Sequence, residues 1–234
     1  MDIQEARYPN YRFPMVLISH AIWLYNRFNL SYRDVSDLLL ERGIEVSYQT
    51  IKDWNDKFGE QFAAAIRRLR AKPSRRWHVD EMHVKIRGQR RYLWRAVDEN
   101  GIVLDVFVSE RRDKKAATRF FQRLLGSYER PTKITSDRLR SYNSVVREQT
   151  PKTKHSRGKW LNNRAENSHL PIRQREKRMK RFKSTKQAQS FLSRFEFIHS
   201  FTKPMRHLIA ARRYRNTVKR RLKSWYNVAG LTAA

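Results

Sequence analysis

At Arg76 the periodicity of the sequence changes. Upstream, apolar residues recur at helical spacing. From Arg76 to Ile86, Arg-Trp-His-Val-Asp-Glu-Met-His-Val-Lys-Ile, they alternate, which is the signature of a half-buried β-strand. Strand-like runs follow at 91–98 and 102–109, separated by turns at Arg87-Gly88-Gln89 and Glu99-Asn100-Gly101. Three successive antiparallel strands are the simplest topology for this order. A helix over 114–127 comes next, with Ala117, Phe120, Phe121, Leu124 and Leu125 facing inward. After it come a short strand over 132–136 ending at Asp137, a helix over 139–148, and room for one short strand near Lys154-His155. This βββαβα(β)α order predicts an α/β fold, a mixed sheet flanked by helices.

Ahead of the strands, Ile18, Ile22, Tyr25 and Phe28 mark one helix. Ser31 and Asp34 form a capping-box start for a second, which Gly43 ends. Ser47 is a good N-cap for a third, with Ile51, Trp54 and Phe58 on its buried face. Helix, Gly-containing turn and helix have the spacing of a helix-turn-helix, whose second helix presents its first residues to base edges. Those residues are Tyr48, Gln49 and Lys52; the competing reading is a three-helix packing unit with no DNA contact. The expected organisation is a helical unit over 1–65, a basic linker over 66–75, a core over 76–183, and a basic helical segment over 184–234 that packs on the core.

Charge names the partner class. The chain carries 52 Lys and Arg against 22 Asp and Glu, a formal charge of +30. Residues 1–70 hold 10 basic against 9 acidic residues, 71–150 hold 19 against 10, and 151–234 hold 23 against 3. Clustered cations of this density are rewarded by a polyanion through counterion release. Cysteine is absent, which removes disulfides and thiolate metal sites. The longest apolar run, 13–25, is too short to span a membrane and contains His20. A DNA partner, no membrane and a cytoplasmic, nucleoid-associated location are the expectations.

Three carboxylates carry the candidate chemistry. Asp80 lies inside the first strand, Asp137 just past the C-terminal end of a later strand, and Glu166 on a helix running toward Met179 that Pro171 kinks or turns early. If the Asp80 and Asp137 strands are neighbours, the two carboxylates converge. Three hard oxygen donors suit Mg²⁺, with Mn²⁺ substituting, and such ions promote in-line displacement at phosphorus. Arg173, seven residues after Glu166, shares nearly the same helix face. Lys177, Arg178, Lys180 and Arg181 extend that basic run as DNA-binding candidates, against a reading in which it is a solvated face. His169 is a possible extra ligand. Individually, Asp80 could be a surface residue, Asp137 a helix cap and Glu166 a favourable charge at a helix start.

The segments Trp77-His-Val-Asp-Glu81, Tyr92-Leu-Trp-Arg-Ala-Val-Asp98, Ser136-Asp-Arg-Leu-Arg-Ser-Tyr142 and Leu161-Asn-Asn-Arg-Ala-Glu-Asn-Ser-His169 resemble the core of bacterial insertion-sequence transposases of the IS-six family, as do Leu30-Ser-Tyr-Arg-Asp34 and Arg181-Phe-Lys-Ser184. The resemblance covers nearly the whole chain. It implies a helix-turn-helix followed by a ribonuclease H-like catalytic domain, an acidic triad at Asp80, Asp137 and Glu166, and a downstream cation at Arg173. It also implies Mg²⁺-dependent strand cleavage and transfer at terminal inverted repeats. The Asp137–Glu166 interval (166 − 137 = 29) is shorter than the family's usual spacing, as a trimmed loop around 149–158 would make it. Joining two DNA ends needs two active sites, so a homo-oligomer, at least a dimer, is expected. The alternative readings are an inactive remnant that binds DNA as a regulator, and a basic RNA-binding protein.

Overall fold

The computed structural model describes residues 11–70, 72–137, 140–158, 169–180, 182–204 and 210–231. It divides into a helical unit, 1–70 with 197–234, and a sheet unit, 71–196.

In the helical unit, α1 (Met15–Arg27), α2 (Tyr32–Leu40) and α3 (Tyr48–Leu69) form the N-terminal trio. The Ser31–Asp34 capping box is complete, so the first free N–H groups of α2 are satisfied at its start. Gly43 takes φ +72° in the turn after α2, a conformation that a Cβ would strain. Ser47 caps α3 by accepting from Thr50 N–H. Helix α3 runs past the expected boundary at residue 65. Ile66, 3% exposed, continues the buried stripe of Ile51, Phe58 and Phe62, so the helix gains by extending to Leu69. The last helix, α8 (Ala211–Val228), belongs to this unit. Its Trp225 is fully buried against Trp23 and Phe62 and donates its indole N–H to Ser19 O at 3.2 Å. The C-terminal residues thus group with the N-terminal helices, where the sequence had pointed to the core. The deciding side chain is Trp225, which meets Trp23, Phe62 and Ser19 of the N-terminal helices.

The sheet unit contains β1 (Arg76–Ile86), β2 (Gln89–Asp98), β3 (Val103–Ser109), β4 (Lys133–Ser136) and β5 (Lys154–Arg157), in the order β3-β2-β1-β4-β5. The first three strands are antiparallel, while β4 and β5 run parallel to β1. This is the mixed, ribonuclease H-like arrangement that the resemblance implied. The β2–β3 hairpin is organised by Asp98, fully buried, whose carboxylate accepts from Ser74, Asn100 and Ile102 N–H at 2.8–2.9 Å. Only residues 150–153 separate α5 (Arg140–Gln149) from β5, a tight connection within the region where the sequence suggested a trimmed loop.

Alternation along β1 sends Trp77 and Val79 to one face, where α4 (Lys114–Ser127) and α5 contribute Phe120, Phe121, Leu124, Tyr142 and Val145 to a common core. On the opposite face, α6 (Leu170–Arg178) and α7 (Thr185–Thr202) supply Ile172, Phe191 and Phe195. Arg95 of β2, register partner of Asp80, meets Glu196 of α7 in a buried ion pair of 2.6 Å. The division between the two units falls within α7, after Glu196.

Candidate active site

Strand β1 outruns its parallel neighbour. The β1–β4 pairing ends at Val79↔Ser136, so Asp80 and Asp137 are the next residues on the two strands, one step past the last ladder pair. From there the edge of β1 is no longer paired with β4. Side chains from both faces of the sheet can therefore curl to the same place. Carboxylate oxygens of Asp80, Glu81 and Asp137 lie within 4.8 Å of one another. The expected convergence of Asp80 and Asp137 is present, and Glu166 lies outside the described residues.

Asp80 is held from one side of the sheet, and Glu81 with Asp137 from the other. His169, the residue preceding α6, places Nε2 3.0 Å from Asp80 Oδ2, and both side chains are largely buried. On the other face, Tyr142 of α5 donates its hydroxyl to Glu81 Oε2 at 2.8 Å. Arg112, from the β3–α4 connection, pairs with Glu81 Oε1 and reaches Asp137 Oδ2 at 3.4 Å. The Glu81 side chain is 4% exposed. Burial first, and then the charge of Asp137, push its pKa from 4.5 up to about 7, against the Tyr142 hydrogen bond and Arg112, which favour the ionised form. The same burial, with the negative charge of Glu81, raises the Tyr142 hydroxyl well above its ordinary value. Desolvation opposes the charge of Arg112, but its acidic partners prevail and raise its pKa.

By strict alternation Glu81 faces away from Asp80, and the sequence did not single it out. The two do sit on opposite faces; they meet because the β1–β4 ladder ends beside them. Arg112 carried no signal, and Tyr142 entered only as the last residue of a resembling segment, since their roles depend on a loop and a helix folding over that edge.

A basic groove adjoins β1, lined by His83, Lys85, Arg90, Arg173, Glu176, Lys177 and Lys180. Three of the residues expected to bind DNA, Arg173, Lys177 and Lys180, thus share one concavity with three residues of the β1–β2 hairpin. Glu176 anchors the groove by accepting from Lys85 N–H at 2.6 Å, on the stretch of β1 beyond its pairing with β4. Arg178 is exposed but does not line it, and Arg181 lies outside the described residues. Helix α6 begins at Leu170, with Pro171 in its first turn, where its missing N–H costs nothing. In the helical unit, Tyr48 is exposed at the start of α3 beneath the Arg33 guanidinium (4.8 Å to the ring), Gln49 bonds Asp53, and Lys52 pairs with Asp56 at 3.4 Å. No helix among the described residues is long and apolar enough to cross a membrane.

A family model described as a DDE domain matches residues 74–205. The transposase for insertion sequence-like element IS431mec of Staphylococcus aureus (strain Mu50 / ATCC 700699) is 30% identical over 200 residues, covering 83% of this chain and 88% of the relative. The transposase for insertion sequence element IS257 in transposon Tn4003, also of S. aureus, matches to the same extent. Among solved structures, the HTLV-2 integrase catalytic core domain in complex with magnesium (trimeric form) aligns over 57% of this chain and 88% of its own at 12% identity, with a TM-score of 0.40. The matched domain spans nearly the whole sheet unit and the relatives extend the likeness over most of the chain, so this protein belongs to the DDE transposases of the IS-six family of insertion sequences.

Proposed function

We propose that Asp80 and Asp137, with Glu166, hold divalent metal, Mg²⁺ or Mn²⁺, and that the protein cuts and joins DNA at the terminal inverted repeats of its element. The observation that carries the assignment is the placement of Asp80 and Asp137 one step beyond the final β1–β4 pair, with Arg112 as a close counter-charge. All the converging donors are hard carboxylate oxygens, the chemistry that suits these ions. Bound there, divalent cations would activate the attacking oxygen and neutralise charge on the leaving one. The chain's own residues supply position. His169 holds Asp80 in one rotamer, Tyr142 and Arg112 hold Glu81, and Arg112 offsets the repulsion among the three carboxylates until cations arrive. The groove of Arg173, Lys177, Lys180 and Arg90 would hold phosphates beside the reacting one as point charges.

In this reading the start of α3, with Tyr48, Gln49 and Lys52, reads the element end. Two such chains act together, because each end requires its own active site, and the work is done on the bacterial nucleoid in the cytoplasm. The test is strand transfer in vitro with a labelled terminal-repeat duplex, in Mg²⁺ or in EDTA, for wild type and for Asp80→Ala and Asp137→Ala. Metal-dependent joining by the wild type, lost in both variants with end binding retained, is expected. Joining by Asp80→Ala would overturn the assignment.

A further inference from the structure

Helix α8 carries seven Lys and Arg and no Asp or Glu. Its two faces do different things. Tyr214, Val218, Arg221 and Trp225 recur at i, i+4, i+7 and i+11 and make the seat. Trp225 enters the core of the helical unit, and Arg221 donates to the carbonyls of Ser200 and Phe201 at 2.9 and 2.8 Å. Tyr214 accepts from Arg27 at 3.2 Å, and Arg27 also donates to Thr202 O. Cations at the closing carbonyls of α7 are favoured there by the helix dipole, so these two arginines are committed to structure.

The opposite face is different. Arg212, Asn216, Lys219 and Lys223 also follow i, i+4, i+7 and i+11, flanked by Arg213 and Arg220, and all six side chains are exposed. None of the five cations pairs with a described carboxylate, and no acidic residue follows Glu196 in the sequence. Like charges at these separations repel along a helix. Among the described residues the fold supplies no counter-charge to this face, which leaves it to solvent ions that a polyanion would displace. The stripe from residue 212 to 223 is about 16 Å long at ~1.5 Å per residue. Over that length one strand of a B-form duplex offers about four or five phosphates, at ~3.4 Å each. Asn216 and Thr217 add neutral hydrogen-bonding groups of the kind that also contact phosphate. A second protein chain would find little to bury on this face, because Lys is depleted at interface cores and none of these six side chains is apolar.

We propose that the outer face of α8 is a second DNA-binding surface of this transposase, one that grips duplex phosphates without regard to sequence, within the same folded unit as the α2–α3 pair. It rests on the transposase reading only in taking duplex DNA as the polyanion.

The test uses the full-length protein and a triple variant, Arg212→Gln, Lys219→Gln and Lys223→Gln, titrated with a terminal-repeat duplex and a scrambled duplex across a salt series. The plot of log K against log salt should become shallower by about 2–3, at ~0.9 for each phosphate no longer neutralised. Affinity should fall by the same factor on both duplexes. The charge-conserving variant, Arg212→Lys with Lys219→Arg and Lys223→Arg, should bind as wild type. The single Lys219→Gln variant should take about one from the slope, which keeps the proposal testable if the triple variant folds poorly. An unchanged slope, or a weakening confined to the terminal-repeat duplex, would overturn it. So would a changed sedimentation mass with unchanged slope, which would assign the face to a second copy of the chain, or a weakening seen on single-stranded RNA but not on duplex. Wild-type protein that binds neither duplex would instead overturn the DNA reading as a whole.

Discussion

Replacing Glu81 by Gln should remove most of the pH dependence that the candidate active site imposes on the fold when divalent cations are absent. The free carboxyl has a pKa of 4.5, and in the folded chain burial and Asp137 push it to about 7. The fold therefore prefers the protonated form, and folding takes up a proton. Stability from this group is complete below about pH 4.5 and is lost as pH rises through about 7. The displacement from 4.5 to about 7 corresponds to at most about 3.5 kcal/mol, at ~1.4 kcal/mol per pH unit. Because the side chain is 4% exposed, solvent screening takes little from that figure. The glutamine keeps the shape, accepts from Tyr142 and cannot ionise. Urea denaturation at pH 5 and pH 8 in EDTA should show wild type losing up to about 2.5 kcal/mol more than Glu81→Gln between the two. His83 and His155, both lowered by burial, contribute with the opposite sign, but they do so in both proteins and cancel in the comparison. Equal pH slopes for the two proteins would refute the argument that Glu81 is held neutral by its surroundings.

Other outcomes follow from the same structure. Divalent-cation affinity of the wild type, measured by calorimetry, should rise with pH through about 7 as Glu81 ionises, and Glu81→Gln should flatten that rise. Breaking the buried Arg95–Glu196 pair by Glu196→Gln should cost about 3–5 kcal/mol in denaturation, because it leaves Arg95 buried without its counter-charge. Arg95→Met combined with Glu196→Leu should recover most of that. Trp225→Ala should destabilise the helical unit by about 3–5 kcal/mol and detach α8, read as a lower melting temperature and fresh proteolysis after Val228 or within α8. Ser31→Ala removes one half of the α2 capping box and should cost about 1 kcal/mol in the same assay.

The elements were legible in the sequence wherever local chemistry decides them. Alternation marked β1–β3, the inward stripe of Phe120, Phe121 and Leu124 marked α4 at its observed ends, and Ser31 and Ser47 marked helix starts. Asp80 and Asp137 could be paired because both follow from one topological condition, that their strands be neighbours, and that condition holds. What stayed hidden was non-local. Glu81 joins the cluster through the difference in length between β1 and β4, a property of two strands far apart in the chain that no window over either one contains. Arg112 comes from a connection, where periodicity carries no information about direction; His169, which the sequence offered as an extra ligand, comes from another and meets Asp80 directly. The seating of α8 on the N-terminal helices turns on Trp225, one aromatic in a strongly basic helix, and its hydrogen-bond partner Ser19 lies 206 positions upstream.

The gap beside β4 has a further consequence. Asp80 takes its orientation from His169 and the layer beneath α6, while Glu81 takes its own from Tyr142 and the layer beneath α4 and α5. The proposed metal site is thus suspended between two hydrophobic cores that the sheet keeps apart. A cavity opened in either core, at Ile172 or at Phe121, tilts one wall of the same small space. Heat-sensitive alleles of this enzyme should therefore arise on both sides of the sheet and share a phenotype, loss of joining with DNA binding kept, though their altered residues never meet.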